Sequence, residues 1–487
     1  MPLKLTNIWD ETRLALDGIA AYAGEALEPT FRLGVTGLSG AGKTVFITSL
    51  IHNLVSGGKL PLLDAVAEGR LRRAYLRPQP DDNVPRFDYE RHIKDIVENR
   101  IWPEGTKRIS QLRLTLEFEP VGFWGRNVRG GKLNLDIIDY PGEWLLDLPL
   151  LTLSYAQWSK QTIVASQQGA RKQIAKPWHK LLKTIDPSAL ADEGQARQCA
   201  AHFTDYLRQC RSEKHSLSAL PPGRFLMPGD LEGSPALTFT PLSVEDGQPQ
   251  NRKSLYAMME RRYESYKSVV VKPFFLNHFA RLDRQIILVD ALAALNAGPD
   301  AVQDLETALT DILKCFRPGK NSWLSSILAR RVDRILVAAT KADHLHHDDH
   351  DRLEAIAKRM TVKAMERASL AGAQVEALAL SAVRATREAS VKQNGEDLGL
   401  VAGTPVDGQR IGRKIFDGAK ETALFPGDLP EDPDHLFEAS GKKKTPEKVR
   451  FVRFRPPAPE TGPGGQAILP HIRLDRALDF LISDKLQ

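Results

Sequence analysis

Gly37-Leu38-Ser39-Gly40-Ala41-Gly42-Lys43-Thr44 fits the pattern G-x-x-x-x-G-K-[ST], and its surroundings limit what that pattern can be. Residues 31–36 before it read as a short strand. After it, Val45, Phe46, Ile47, Leu50, Ile51 and Leu54 recur at helical spacing. A strand, a glycine-rich turn and a helix start, in that order, make an anion cradle: backbone N–H groups point inward and the helix dipole adds positive potential. In such a P-loop the lysine, Lys43, reaches the β- and γ-phosphates and the hydroxyl of Thr44 faces Mg²⁺. The expected phosphate contacts are therefore Ser39, Gly40, Ala41, Gly42, Lys43, Thr44 and Val45.

Three later segments bear on which nucleotide is bound. Residues 133–139, LNLDIID, read as a strand ending in Asp139, and Gly142 completes a D-x-x-G pair. Strand C-terminal edges are where ligands of open α/β sheets bind. Asp139 is expected to hold Mg²⁺, and the Gly142 N–H can approach a γ-phosphate because no side chain blocks it. Residues 334–343 run from another apolar strand into Thr340-Lys341-Ala342-Asp343, which fits [NT]-K-x-D. A carboxylate there accepts two hydrogen bonds from guanine N1–H and N2–H₂, a donor pair that adenine lacks. One helix later, Ser381-Ala382-Val383 has the form of a short S-A-x loop whose backbone N–H contacts guanine O6.

In that order, each at a strand end, these elements resemble the GTPase branch of the P-loop fold. The phrases GLSGAGKTVFITSLIHNL, VPRFDYERHI, IIDYPGEWLLDLPLL, PGRFLMPGDLEGSPALTF and LPHIRLDRALDFLISDKL are similar to the YcjX family of bacterial stress-associated GTPases, and they are spread over most of the chain. The resemblance implies a cytoplasmic Ras-like GTPase with added helical material, binding GTP or GDP with Mg²⁺ and linked to envelope or phage-shock-type stress. The implied fold is α/β with a mainly parallel sheet.

Spacing sets this chain apart from a minimal G domain. Thr44 and Asp139 are 95 positions apart, and Gly142 and Thr340 are 198 apart. The expected division has residues 1–28 as an N-terminal helix and 29–144 as the first part of the G domain. Within that part, 57–110 is an elaborated switch I region, arginine- and proline-rich. A mainly helical insertion domain covers 145–280, with Trp158, Trp178 and Tyr206 as packing anchors. A helix is expected from 187 and a long amphipathic one over 251–280. The G domain resumes over 281–391, and 392–487 is a mixed α/β extension packing on it, with 392–410 as a loop. Thr106, just before the period-two strand 112–118, is the expected switch I threonine and second Mg²⁺ contact; Ser110 is the alternative. Asp290 ends the strand 285–290 and could pass for the metal-side carboxylate, but Asp139 has its glycine in place.

Catalysis in this class is positioning plus charge stabilisation. The expected catalytic set is Lys43, Thr106, Gly142 and Glu143. Many Ras-like proteins have glutamine where this chain has Glu143. The glutamate either orients water as a weak base or points away. Arg86, Arg91 and Arg108 are candidates to neutralise charge in cis.

Composition narrows the partners. The net charge of +6 over 487 residues is compatible with acidic partners without demanding them, and nucleic acid is not indicated. Cys199, Cys210 and Cys315 form no CxxC pair, which points to a reducing compartment. The N-terminus lacks the apolar core of a signal peptide. The basic run at Lys442, Lys443 and Lys444, near Phe451 and Phe454, leaves a peripheral inner-membrane contact open beside a protein effector. Effector and oligomeric state are not readable. The rivals to a slow GTPase switch are an ATPase of another P-loop branch and a nucleotide-binding scaffold without turnover.

Overall fold

A computed structural model describes residues 29–38, 40–106, 108–121, 131–243, 251–316, 332–370, 372–393, 396–411, 413–437, 451–462 and 465–487. The expected N-terminal helix at 1–28 and the basic run at 442–444 lie outside these residues.

The centre is a seven-stranded sheet. Its strands are β1 (Thr30–Gly37), β2 (Leu71–Leu76), β3 (Ser110–Phe118), β4 (Gly131–Asp139), β5 (Arg284–Val289), β6 (Arg334–Ala339) and β7 (Gln374–Ala379). Their order across the sheet is β2-β3-β4-β1-β5-β6-β7. The five strands β4, β1, β5, β6 and β7 run parallel; at one edge β3 pairs antiparallel with β4 and β2 pairs antiparallel with β3. This is the Ras-like P-loop arrangement. The segment expected as an elaborated switch I region, 57–110, contains the edge strand β2, which the sequence did not announce: Ala74 and Leu76 pair with Leu116 and Leu114. Its arginines hid it, because a sheet edge tolerates charge that pairs across strands, as Arg73 does with Glu117 at 2.6 Å.

The parallel strands read as near-continuous apolar runs because both faces are covered. Successive residues serve opposite layers. Ile286 and Leu288 pack with α1 (Lys43–Val55), whereas Ile287 and Val289 face the other core.

That second core runs without a break into the segment between β4 and β5. There α2 (Tyr155–Ser166), α3 (Lys176–Leu182), α4 (Glu193–Arg211) and α5 (Leu255–Tyr266) pack around aromatic rings. Trp158 stacks on Tyr263 and Trp178 on Tyr206, with centroids 5.1 and 5.2 Å apart. All three expected anchors are buried. The helix expected from 187 begins later, because Asp192 supplies the cap by accepting the Gln195 N–H at 2.7 Å. The long helix of 251–280 is α5, continued through a π-turn at Lys267–Val271 into Lys272–Asn277.

After β5 come α6 (Ala291–Ala297) and α7 (Pro299–Phe316), and between β6 and β7 comes α8 (His350–Leu370). The loop expected at 392–410 is largely a hairpin, β8 (Arg387–Gln393) with β9 (Glu396–Gly403), joined by β10 (Thr422–Leu424). The final helix, α9 (Leu474–Ile482), returns to the sheet and buries Leu474, Leu478 and Leu481 beside α1. Among the described residues no helix is long and apolar enough to cross a membrane.

One buried acid ties the segment after D-x-x-G to the helices. Asp147 accepts the Gly223 N–H at 2.7 Å and the Tyr266 hydroxyl at 2.6 Å. Burial raises its pKa to about 6. The fold therefore holds a proton that the unfolded chain, with an ordinary carboxylate value near 4, has released. The stability this gives is present below pH ~4 and is lost as pH rises through ~6. Asp147→Asn should be more stable than wild type at pH 7.5, by about 3 kcal/mol or less, with no advantage below pH ~4. Urea melts across that range check the sign.

Candidate functional site

The loop after β1 is shaped by glycine. Gly40 and Gly42 have φ of 78° and 74°, a left-handed region costly for other residues. The turn closes through Ala41 N–H to Leu38 O at 3.0 Å. Gly42 is the N-cap of α1 and has no side chain to satisfy the helix's first N–H groups, so these stay available at the helix start. Ser39 lies outside the described residues. Val45 opens the first turn of α1 beside Lys43 and Thr44.

Three elements meet at this helix start. Lys43 Nζ pairs with Asp139 Oδ1, both groups buried. The other oxygen, Oδ2, accepts the Thr106 hydroxyl at 2.7 Å and the Ser110 hydroxyl at 3.3 Å. Ser110 is there because the β3–β4 register sets it opposite Asp139. Thr44 Oγ1 donates to Glu104 O at 3.3 Å and lies 3.4 Å from Thr106 Oγ1. Thr106 and its alternative Ser110 thus share one carboxylate oxygen, and Thr106 also adjoins Thr44. Two hydroxyls and a carboxylate are hard oxygen donors of the kind Mg²⁺ takes alongside substrate phosphates. The donor chemistry fits that ion.

Gly142 abuts the loop itself. A Cβ built on it would stand 2.3 Å from Gly37 O and 3.0 Å from Leu38 N. Glu143, next in sequence, is engaged elsewhere. Its Oε1 lies 2.9 Å from Nη2 of Arg211, the last residue of α4, and its side chain is 8% exposed. Gly223 closes over its backbone, since a Cβ there would meet Glu143 O at 1.9 Å. Of the arginine candidates, Arg86 is paired to Glu90 at 2.6 and 2.7 Å, Arg91 stands 3.9 Å from Asp95, and Arg108 is exposed.

The other half of the site lies beyond β6. Thr340 is buried and donates through Oγ1 to Val289 O at 3.2 Å. Asp343 is 4% exposed. Its Oδ1 accepts the Ser381 hydroxyl at 2.7 Å, and its Oδ2 accepts the Ala385 N–H at 2.9 Å. Ser381, Ala382 and Val383 are buried beside it. They are held from outside by Ile472, which exchanges backbone hydrogen bonds with Ser381 at 3.0 and 2.8 Å. His344 is buried next to Phe454, and burial lowers its pKa. The helix α1 joins the two halves: Ser49, one and a half turns after Thr44, donates to Ala382 O at 2.5 Å.

Asp290 has a part that the sequence did not reveal. It caps α6 by accepting the Ala293 N–H at 3.0 Å, and its Oδ2 pairs with Lys341 Nζ. Lys341 holds a left-handed φ of 64°. A Cβ on Gly40 would come within 3.7 Å of the same oxygen. Asp290 therefore ties the T-K-x-D loop to the back of the P-loop, while Asp139 takes the Lys43 and Thr106 side. Both carboxylates end apolar strands, so strand-end position was the available signal. Only the strand order separates them, since β4 and β5 flank β1 on opposite sides.

The family model described as "YcjX-like family, DUF463" matches residues 31–486. A protein of Escherichia coli K12 named "Ras-like GTPase YcjX" is 36% identical over 479 residues, covering 96% of this chain and 98% of the relative. A protein of the same name from Shewanella oneidensis is 35% identical over 480 residues, covering 94% of each. With the P-loop, D-x-x-G and T-K-x-D elements in place along one sheet, the chain belongs to the YcjX-like family.

Proposed function

We propose that the chain is a GTP-binding switch that hydrolyses GTP slowly. The observation that carries this is the meeting of Lys43, Thr44, Thr106 and Asp139 at one end of α1, with the Asp343–Ser381 pair tied to the same helix through Ser49. In this reading Lys43 and the loop N–H groups neutralise the β- and γ-phosphates, and Gly142 presents its N–H to the γ-phosphate. Thr44, Thr106 and Asp139 would hold Mg²⁺. When bound, that ion supplies charge neutralisation to the transferring phosphoryl group. Lys341 lies along the base, and Asp343 and the Ser381-Ala382-Val383 loop select guanine. The cytoplasmic setting and the stress link belong to the same proposal and rest on family resemblance; the relatives' name supports the GTPase part.

A second reading, nucleotide binding with negligible turnover, is favoured by Glu143, whose carboxylate is engaged by Arg211. In our account Glu143 positions the segment after Gly142 and does not itself orient water. Single-turnover phosphate release with saturating GTP and Mg²⁺ separates the two readings. The switch should release phosphate with a rate constant on the order of 10⁻⁴ to 10⁻² s⁻¹; no release over hours leaves the scaffold. Glu143→Gln and Arg211→Ala should both lower that rate, and the double variant should resemble the singles, because coupled partners are non-additive by about 0.5–3 kcal/mol. A loss confined to Glu143→Gln would mean that the glutamate acts on water directly.

A further inference from the structure

We propose that His346, His347 and Asp348 form a divalent metal site suited to Zn²⁺, and that Glu388 positions one of its histidines. Donor atoms of the three residues all lie within 4.8 Å of one another. His346 Nδ1 is 2.9 Å from Asp348 Oδ2, and His347 Nε2 is 3.3 Å from Asp348 Oδ1. Zinc bonds of about 2.0–2.2 Å to nitrogen and oxygen need donors little more than 3 Å apart, so small side-chain rotations would close the set. Two imidazoles with a carboxylate are donors that Zn²⁺ accepts and that Mg²⁺ does not favour. His347 and Asp348 are 60% and 72% exposed, which leaves room for water to complete four-coordination.

The surroundings of His347 carry the argument further. Its other nitrogen, Nδ1, lies 3.0 Å from Glu388 Oε2 on β8. Both ring nitrogens therefore face carboxylate oxygens. An imidazole that donates from one nitrogen keeps a lone pair on the other, free to meet a cation. Glu388 is itself fixed, its Oε1 accepting from Arg384 Nη2 at 3.1 Å. With Nδ1–H donated to Glu388, the Nε2 lone pair points at Asp348. A carboxylate behind a ligating histidine is the usual outer support of such a site. His346 is held as well, because its ring packs under Gly399 of β9, where a Cβ would stand 2.7 Å from its Cγ. The group follows directly on the turn that carries Asp343. A metal there would fasten the T-K-x-D loop to the β8–β9 hairpin.

The test is calorimetric titration of the full-length, chelator-treated protein with ZnCl₂ at pH 7.5. Excess Mg²⁺ is kept present to occupy the Thr44–Thr106–Asp139 group. The wild type should bind one equivalent. His347→Ala and Asp348→Ala, both at exposed side chains that leave the fold intact, should each weaken binding at least about tenfold. Glu388→Ala should weaken it about 10- to 100-fold, with part recovered in Glu388→Gln, whose amide oxygen still accepts the Nδ1 proton. No binding to wild type would overturn the proposal. Undiminished binding to a folded His346→Ala/His347→Ala protein would overturn it too, by placing the ion elsewhere.

Discussion

Lys43→Ala is expected to lower the affinity for GDP and GTP by about 100-fold or more. The ammonium is the side-chain charge that α1 presents at the loop, and hydrogen bonds to charged groups contribute about 1.5–3 kcal/mol. At 1.4 kcal/mol per decade, two such contacts to the phosphates exceed that factor. The structure adds a second consequence. Lys43 pairs with Asp139 in a buried position, so truncation leaves a carboxylate without its ion partner. Removing one partner of a buried pair costs about 3–5 kcal/mol. The thermal midpoint should fall in Lys43→Ala and recover in Lys43→Ala/Asp139→Ala, while nucleotide affinity recovers in neither. Wild-type affinity in a folded Lys43→Ala protein would remove the loop from the site.

Asp343→Asn should cost about 3 kcal/mol of GTP binding and move preference toward xanthine nucleotides. Guanine offers two donors to the carboxylate, and an amide presents one acceptor and one donor in its place. The local geometry says how asparagine would sit. The Ala385 N–H is a fixed donor and requires the amide oxygen, which turns the NH₂ toward Ser381 Oγ, a group able to accept. The S-A-x loop should therefore stay folded, and the loss should fall on base choice. Competition of GTP and XTP against a fluorescent guanine nucleotide measures it. Unchanged GTP preference in the variant would relieve Asp343 of the selecting role.

Much of this was legible because each motif sits at the end of an apolar strand. A strand buried on both faces announces itself by composition, and the residue after it must lie at the sheet's edge. Asp139, Thr340 and Ser381 were placed by that logic. Thr106 was reachable because a threonine just before β3 falls beside the end of β4 once the two pair antiparallel. What the sequence hid depends on contacts made across long separations. The bond from Glu143 to Arg211 spans the helical segment, and nothing local to either residue announces it. Asp290 was weighed as a metal carboxylate because its strand resembles that of Asp139; strand order, absent from a linear reading, assigns it to Lys341. The polar composition of 392–410 reads as a loop and hides the β8–β9 hairpin, although Asn394-Gly395 between alternating runs is a strong hairpin signal. Edge strand β2 was missed for a related reason, since its outward arginines broke the apolar pattern.

The central claim is that the P-loop and the T-K-x-D carboxylate serve one guanine nucleotide. Its most direct test is displacement of a fluorescent GDP from the wild-type protein in Mg²⁺ by unlabelled GTP and ATP. The account predicts displacement by GTP at concentrations at least about 100-fold lower than ATP, the factor that about 3 kcal/mol represents. Equal displacement by the two nucleotides would contradict it.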